Sequence, residues 1–119
     1  MQIHESAENY LETILILKYR TGNVRSIDIA NELGYSKPSI SRAVKLLREN
    51  NYIVVDSDGY ISLTEAGAAI AEKMYDRHTV LSQYLMGLGV DKDTALEDAC
   101  RIEHVISQES FERIRESLK

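Results

Sequence analysis

Residues 26–50 read SIDIANELGYSKPSISRAVKLLREN. Two helical segments meet in this stretch at a Gly-Tyr turn. In the first, Ile29, Ala30 and Leu33 fall on one face, and Ser26 stands before it as the expected N-cap of a helix over Ile27–Leu33. Gly34-Tyr35 makes the tight turn. Ser36 is the expected N-cap of the second helix, with Pro38 in its first turn, where a missing N–H costs nothing. Ile40, Val44 and Leu47 form the apolar stripe of that helix, with Ala43 and Leu46 beside them, and Glu49-Asn50-Asn51 ends it.

Working outward, Tyr52–Val55 and Tyr60–Leu63 are β-rich and flank the turn-forming Asp56-Ser57-Asp58-Gly59, which predicts a hairpin. Upstream, Tyr10, Ile14 and Leu17 predict a helix over 6–20, stopped by Thr21-Gly22-Asn23. A short helix, a tight turn, a second helix and a two-stranded wing follow one another in the order of a winged helix-turn-helix. The chemistry of the second helix suits DNA. Ser36, Ser39 and Ser41 are short enough for the backbone to approach a groove, with Lys37 and Pro38 between them. Arg42 can reach a guanine edge, while Lys45 and Arg48 suit phosphates. The expected DNA-binding residues are therefore Ser36, Lys37, Pro38, Ser39, Ser41, Arg42 and Lys45. The wing tip is acidic and is expected to touch DNA less than a basic wing would. Taken alone, the same residues also suit a cap and a solvated basic face, and winged helices serve as protein-interaction modules too.

Downstream, Thr64 opens a long helix reaching about Met86, with Gly87 and Gly89 as breakers. Asp91 is expected to cap a helix carrying Ala95, Ala99, Ile102 and Val105, and Ser107 a last helix over 108–118. Cys100-x-x-Glu103-His104 sets three donors at i, i+3 and i+4, on one helical face. Thiolate, carboxylate and imidazole together suit a divalent transition metal. His78 on the long helix, and Asn9 with Glu12 on the first, could supply further ligands. Spacing alone leaves the plainer reading open, in which Cys100 is a small core hydrophobe and Glu103 and His104 are ordinary helix residues. The zinc-protease pattern H-x-x-E-H is not met, because Cys100 stands where its first His belongs, so no enzyme is expected. Glu97, Asp98 and Glu103 would raise the Cys100 thiol pKa, which argues against an oxidant sensor.

Composition fits this frame. The 119 residues allow one compact domain or two small lobes, and exclude barrels and doubly wound folds of roughly 200 residues or more. Six glycines and one proline favour long helices. No apolar run approaches the ~18 residues of a membrane helix, and no secretory signal opens the chain, so neither a membrane nor export is expected. A single cysteine excludes an internal disulfide and fits a reducing cytoplasm. Net charge is −5, which read globally argues against nucleic acid. The distribution reverses this: no acid lies between Ser36 and Arg48, whereas residues 71–119 hold ten acids against seven basic residues. A local basic element on an acidic body can still dock on phosphates.

The chain resembles the diphtheria toxin repressor family of metal-dependent repressors, which includes the manganese transport regulators. The resemblance covers almost the whole sequence. It rests on Glu8–Ile14 (ENYLETI), Ser36–Val44 (SKPSISRAV), Leu63–Gly67 (LTEAG), Asp76-Arg77-His78 and Glu97–His104 (EDACRIEH). It implies a mainly α fold, with an N-terminal winged helix-turn-helix and two-stranded wing over 1–71. A helical metal-binding and dimerisation domain follows over 72–119. It also implies a homodimer on a palindromic operator in double-stranded DNA, repressing metal-uptake genes, with no small-molecule substrate. Carried over by position, the metal ligands fall on Asn9, Glu12, His78, Cys100, Glu103 and His104. The set is a hybrid. Asn9 stands where iron-type members have Met and manganese-type members Asp. Cys100 is the iron-type choice and Glu12 the manganese-type one. Ser82 and Leu96 occupy positions of an ancillary iron-type site, which is therefore expected to be incomplete. The expected cofactor is Fe(II) or Mn(II), with zinc, cobalt or nickel accepted in vitro. Iron-type members continue into an SH3-like domain, and the resemblance is to the short two-domain members. The alternative from another class is a winged-helix DNA- or protein-binding module without a metal switch.

Overall fold

The computed structural model describes residues 5–119. Its order is α1(Glu5–Thr21), α2(Ser26–Leu33), α3(Lys37–Glu49), β1(Ile53–Val55), β2(Ile61–Leu63), α4(Glu65–Gly87), α5(Lys92–Ile102) and α6(Gln108–Ser117). The chain divides into two compact units, one ending at Glu72 and the other beginning at Lys73, with the boundary inside α4.

The first unit is built on α1. Its Leu11, Ile14, Leu15 and Leu17 are buried, and they share a core with Val24, Ile29, Ala30, Ile40, Leu47, Ile53, Ile61 and Ala71. Each such aliphatic side chain, withdrawn from water, contributes roughly 1.5–3 kcal/mol before entropy is charged against it. The two reading-head helices are set by their ends. α2 begins one residue earlier than expected: Arg25 is the extended cap, and its amide donates to the Asp28 carboxylate at 2.8 Å. Ser26 is thus the first helical residue, because a carboxylate three positions on from Arg25 stabilises that earlier start. Gly34 closes α2 at φ +71°, a conformation that costs a residue with a Cβ. Ser36 caps α3, its Oγ accepting the Ser39 amide at 3.3 Å, with Pro38 in the first turn.

On α3, Ile40 and Leu47 are buried and Val44 is half-buried, but Leu46 is 59% exposed. Six residues beyond Ile40 lies about 240° around a helix, so Leu46 leaves the stripe it was grouped with. Asn51 adopts φ +62° and turns the chain into β1. The antiparallel hairpin pairs Ile53 with Leu63, Val54 with Ser62 and Val55 with Ile61, burying Ile53 and Ile61 and exposing Val54. Asp56 Oδ1 accepts the amides of Asp58 and Tyr60, each at 2.9 Å, so an acidic residue of the wing builds its turn. Thr64 Oγ1 accepts the Gly67 amide at 3.1 Å and donates to the Asn51 carbonyl at 2.7 Å, starting α4. A Cβ on Gly67 would lie 2.0 Å from the Tyr52 carbonyl oxygen, so only glycine allows the helix to come this close to the residue leading into β1.

In the second unit, Leu81, Ala99 and Phe111 form a small core, with Val80, Ile102, Ile106 and Ile114 packed on it. Asp91 caps α5 and Ser107 caps α6, as their positions predict. α5 ends at Ile102, so Val105 is not one of its residues and is 74% exposed.

Candidate metal centre and nucleic-acid interface

The basic element is carried by α3 and the residue that caps it. Ser36, Lys37, Pro38, Ser41, Arg42, Lys45 and Arg48 are exposed. Ser39 is half-buried, and its hydroxyl accepts from Ser36 Oγ at 2.9 Å, so these two serines organise the helix start rather than projecting freely. Lys37, Ser41 and Lys45 recur every fourth residue and share a face. A shallow cleft of about 280 Å³ opens beside this face, with Ala30 and Ile40 in its wall and Ser26, Ile27, Lys37 and Ser41 around them. A positive helix N-terminus, hydroxyls and cations on one exposed surface form an anion-attracting face.

The second unit gathers donors from two helices. Glu103 has 0% exposure, although a glutamate in water gains several kcal/mol of hydration that burial removes. Its Oε2 lies 3.1 Å from His78 Nδ1, and its Oε1 lies 3.3 Å from His104 Nε2. Two imidazole nitrogens thus flank one buried carboxylate within ion-pair distance. The helix does not reach as far as the spacing suggested: Glu103 is the C-cap of α5 and His104 lies in the following turn. Glu103 nevertheless keeps helical dihedrals (φ −57°, ψ −28°), which preserves its relation to Cys100 one turn earlier. Cys100 is a half-buried thiol. This donor set, a carboxylate, two imidazoles and a thiol one helical turn away, fits a divalent transition metal.

Asn9 and Glu12 belong to the first unit and stand three residues apart on α1. The Asn9 main-chain carbonyl accepts from Thr13 Oγ1 at 2.8 Å, and Glu12 is 4% exposed. Ser82 is buried, with its hydroxyl donating to the His78 carbonyl at 2.8 Å and approaching that of Thr79 at 3.1 Å. A residue that the sequence reading passed over is Arg77. It is 5% exposed, and its Nη1 donates to main-chain carbonyls of the segment holding Glu103. The signal was present: Arg77 falls three residues after Met74 and four before Leu81, on the buried stripe of α4.

Comparison with known proteins agrees with both halves. A model of the iron-dependent repressor N-terminal DNA-binding domain matches residues 2–61, and one of the iron-dependent repressor metal-binding and dimerisation domain matches residues 64–119. An HTH-type transcriptional regulator of Methanocaldococcus jannaschii is 33% identical over 113 residues, which cover 93% of this chain and 90% of that protein. Among solved structures, the manganese regulator SloR superposes with a TM-score of 0.83 at 28% identity, over 99% of this chain and 54% of its own. A manganese-dependent transcriptional repressor in complex with manganese gives 0.86 at 27% identity, over 94% and 52%. IdeR of T. acidophilum gives 0.82 at 24% identity over 99% and 55%, a likeness of fold. The chain spans about half the length of these structurally known regulators.

Proposed function

This chain belongs to the iron-dependent repressor family of metal-dependent transcriptional repressors, and from that membership we propose that it represses metal-uptake genes as a homodimer whose operator affinity rises when Fe(II) or Mn(II) is bound. The observation that carries the reading is the buried Glu103 carboxylate between the His78 and His104 imidazoles. A divalent cation held there would supply the positive charge that offsets this carboxylate. His78, Glu103 and His104 are the proposed ligands from the second unit, and Cys100 offers a softer donor, which favours iron over manganese by softness. Asn9 and Glu12 are the proposed ligands from the first unit. Metal loading is proposed to raise the population of a DNA-competent form.

Homodimerisation is supported by the second unit's small core and by the exposure of Tyr75, Met86, Leu88, Val105 and Leu118. A two-fold dimer presents two α3 helices to successive major grooves, so the proposed operator is a palindrome with half-sites about 34 Å apart or a multiple of it. Ser36, Lys37, Pro38, Ser39, Ser41, Arg42 and Lys45 are the proposed DNA-facing residues. No helix among the described residues is long and apolar enough to cross a membrane, and the proposed place of action is the reducing cytoplasm.

The test is fluorescence anisotropy of a palindromic operator fragment titrated anaerobically at fixed salt, with and without Fe(II), Mn(II) and Zn(II). Tightening of about tenfold or more with one metal supports the reading. Equal binding under all conditions would leave a winged-helix DNA binder without a switch.

A further inference from the structure

Adjacent residues of α4 reach the same glutamate. His78 faces the Glu103 carboxylate, while Arg77 Nη1 donates to the Glu103 main-chain carbonyl at 3.0 Å and to that of Ile106 at 2.9 Å. Arg77 Nη2 donates to Gln108 Oε1 at 2.9 Å, and the guanidinium carbon lies 5.5 Å from the centre of the Phe111 ring. One buried side chain therefore holds the C-cap of α5, the residue before the cap of α6, and the first residue of α6.

The choice of arginine is informative. Burying a guanidinium costs several kcal/mol, and an apolar side chain would pack on Phe111 without that cost. What arginine adds is a rigid fork of donors, able to take several acceptors in fixed directions. The acceptors it takes are the carbonyls of the connection on which Glu103 and His104 sit. We propose that Arg77 is a positioning residue of the metal centre, presetting Glu103 and His104 for the cation by clamping the connection between α5 and α6. A residue that only glued α4 to α6 would affect stability and leave metal geometry alone. Residues that orient metal ligands without touching the metal alter its affinity, commonly by about 10–100-fold.

The inference rests on the metal reading above, and Co(II) separates the two, because its visible d–d spectrum reports coordination geometry without any DNA. The full chain is compared with Arg77→Met, Arg77→Lys and Gln108→Ala, with circular dichroism reporting the fold. Arg77→Met is expected to keep its helical signal, to bind Co(II) about tenfold or more weakly, and to show an altered Co(II) spectrum. Arg77→Lys, with one charge and no fork, is expected to recover part of the affinity. Gln108→Ala removes a single surface acceptor and is expected to weaken Co(II) binding by a smaller factor with the fold intact. Wild-type affinity and an unchanged spectrum in folded Arg77→Met overturn the inference. If Arg77→Met does not fold, the same result in Gln108→Ala overturns it. A wild-type chain that takes no Co(II) overturns the metal reading and this inference with it, a result distinct from binding that the variants share.

Discussion

His78 Nδ1 stands 3.1 Å from Glu103 Oε2, and that glutamate has no solvent exposure. Twenty-five positions separate the two in sequence, yet they bring α4 and the end of α5 onto one carboxylate. Hydration is lost at a buried carboxylate, so its energy depends on the polar partners it keeps and on any cation that joins them.

Glu103→Gln preserves the shape of the side chain and removes its charge. The expected outcome is a folded protein whose operator affinity no longer responds to metal, falling from about tenfold enhancement or more to less than about twofold. His104→Ala is expected to act in the same direction. Anisotropy titrations with and without metal check this, and an unaltered response would displace the centre from Glu103.

Arg42→Ala acts on the other unit. Arg42 is exposed on α3, and its loss is expected to weaken operator binding by about tenfold and to reduce the salt slope or the base preference at one position. Co(II) affinity of the DNA-free protein should stay at the wild-type value. A changed Co(II) affinity would mean that α3 is not simply a reading helix.

Gly67→Ala sets helix propensity against packing. Alanine favours a helix by about 1 kcal/mol relative to glycine. Its Cβ would meet the Tyr52 carbonyl oxygen at 2.0 Å, and that atom is backbone, so the strand or the helix must move. A net destabilisation of about 2 kcal/mol or more is expected, read as a lowered urea midpoint. A gain in stability would show that the contact relaxes freely.

Tyr10 carries a pH dependence. Burial, and secondarily the neighbouring Tyr35 ring, holds its phenol above the ordinary tyrosine range. The folded state thus keeps this proton more tightly than the unfolded chain. The contribution is complete below the ordinary pKa of about 10 and is lost as pH rises through the raised value. Wild-type stability should therefore fall more steeply than that of Tyr10→Phe across about pH 9–11. Parallel slopes in denaturant titrations would contradict this.

The reading helix was legible because its signals are local. Caps at Ser36, Asp91 and Ser107, and the apolar stripe of α3, depend on neighbours within a turn or two. Errors arose where a short-range competitor intervened, as when Asp28 moved the start of α2 to Ser26. The spacing of Cys100, Glu103 and His104 was visible for the same reason, although the helix stops at Ile102.

The sequence by itself determined the order of elements, the basic face of α3 and the donor types available to a metal, since residue identity and helical period suffice for each. Only the tertiary structure decided that His78 meets Glu103, and that Arg77 on the buried face of α4 clamps the connection between α5 and α6. Those relationships join positions more than twenty residues apart. Their geometry follows from how the helices pack around Phe111, Leu81 and Ala99, a balance of burial and desolvation that no local pattern encodes.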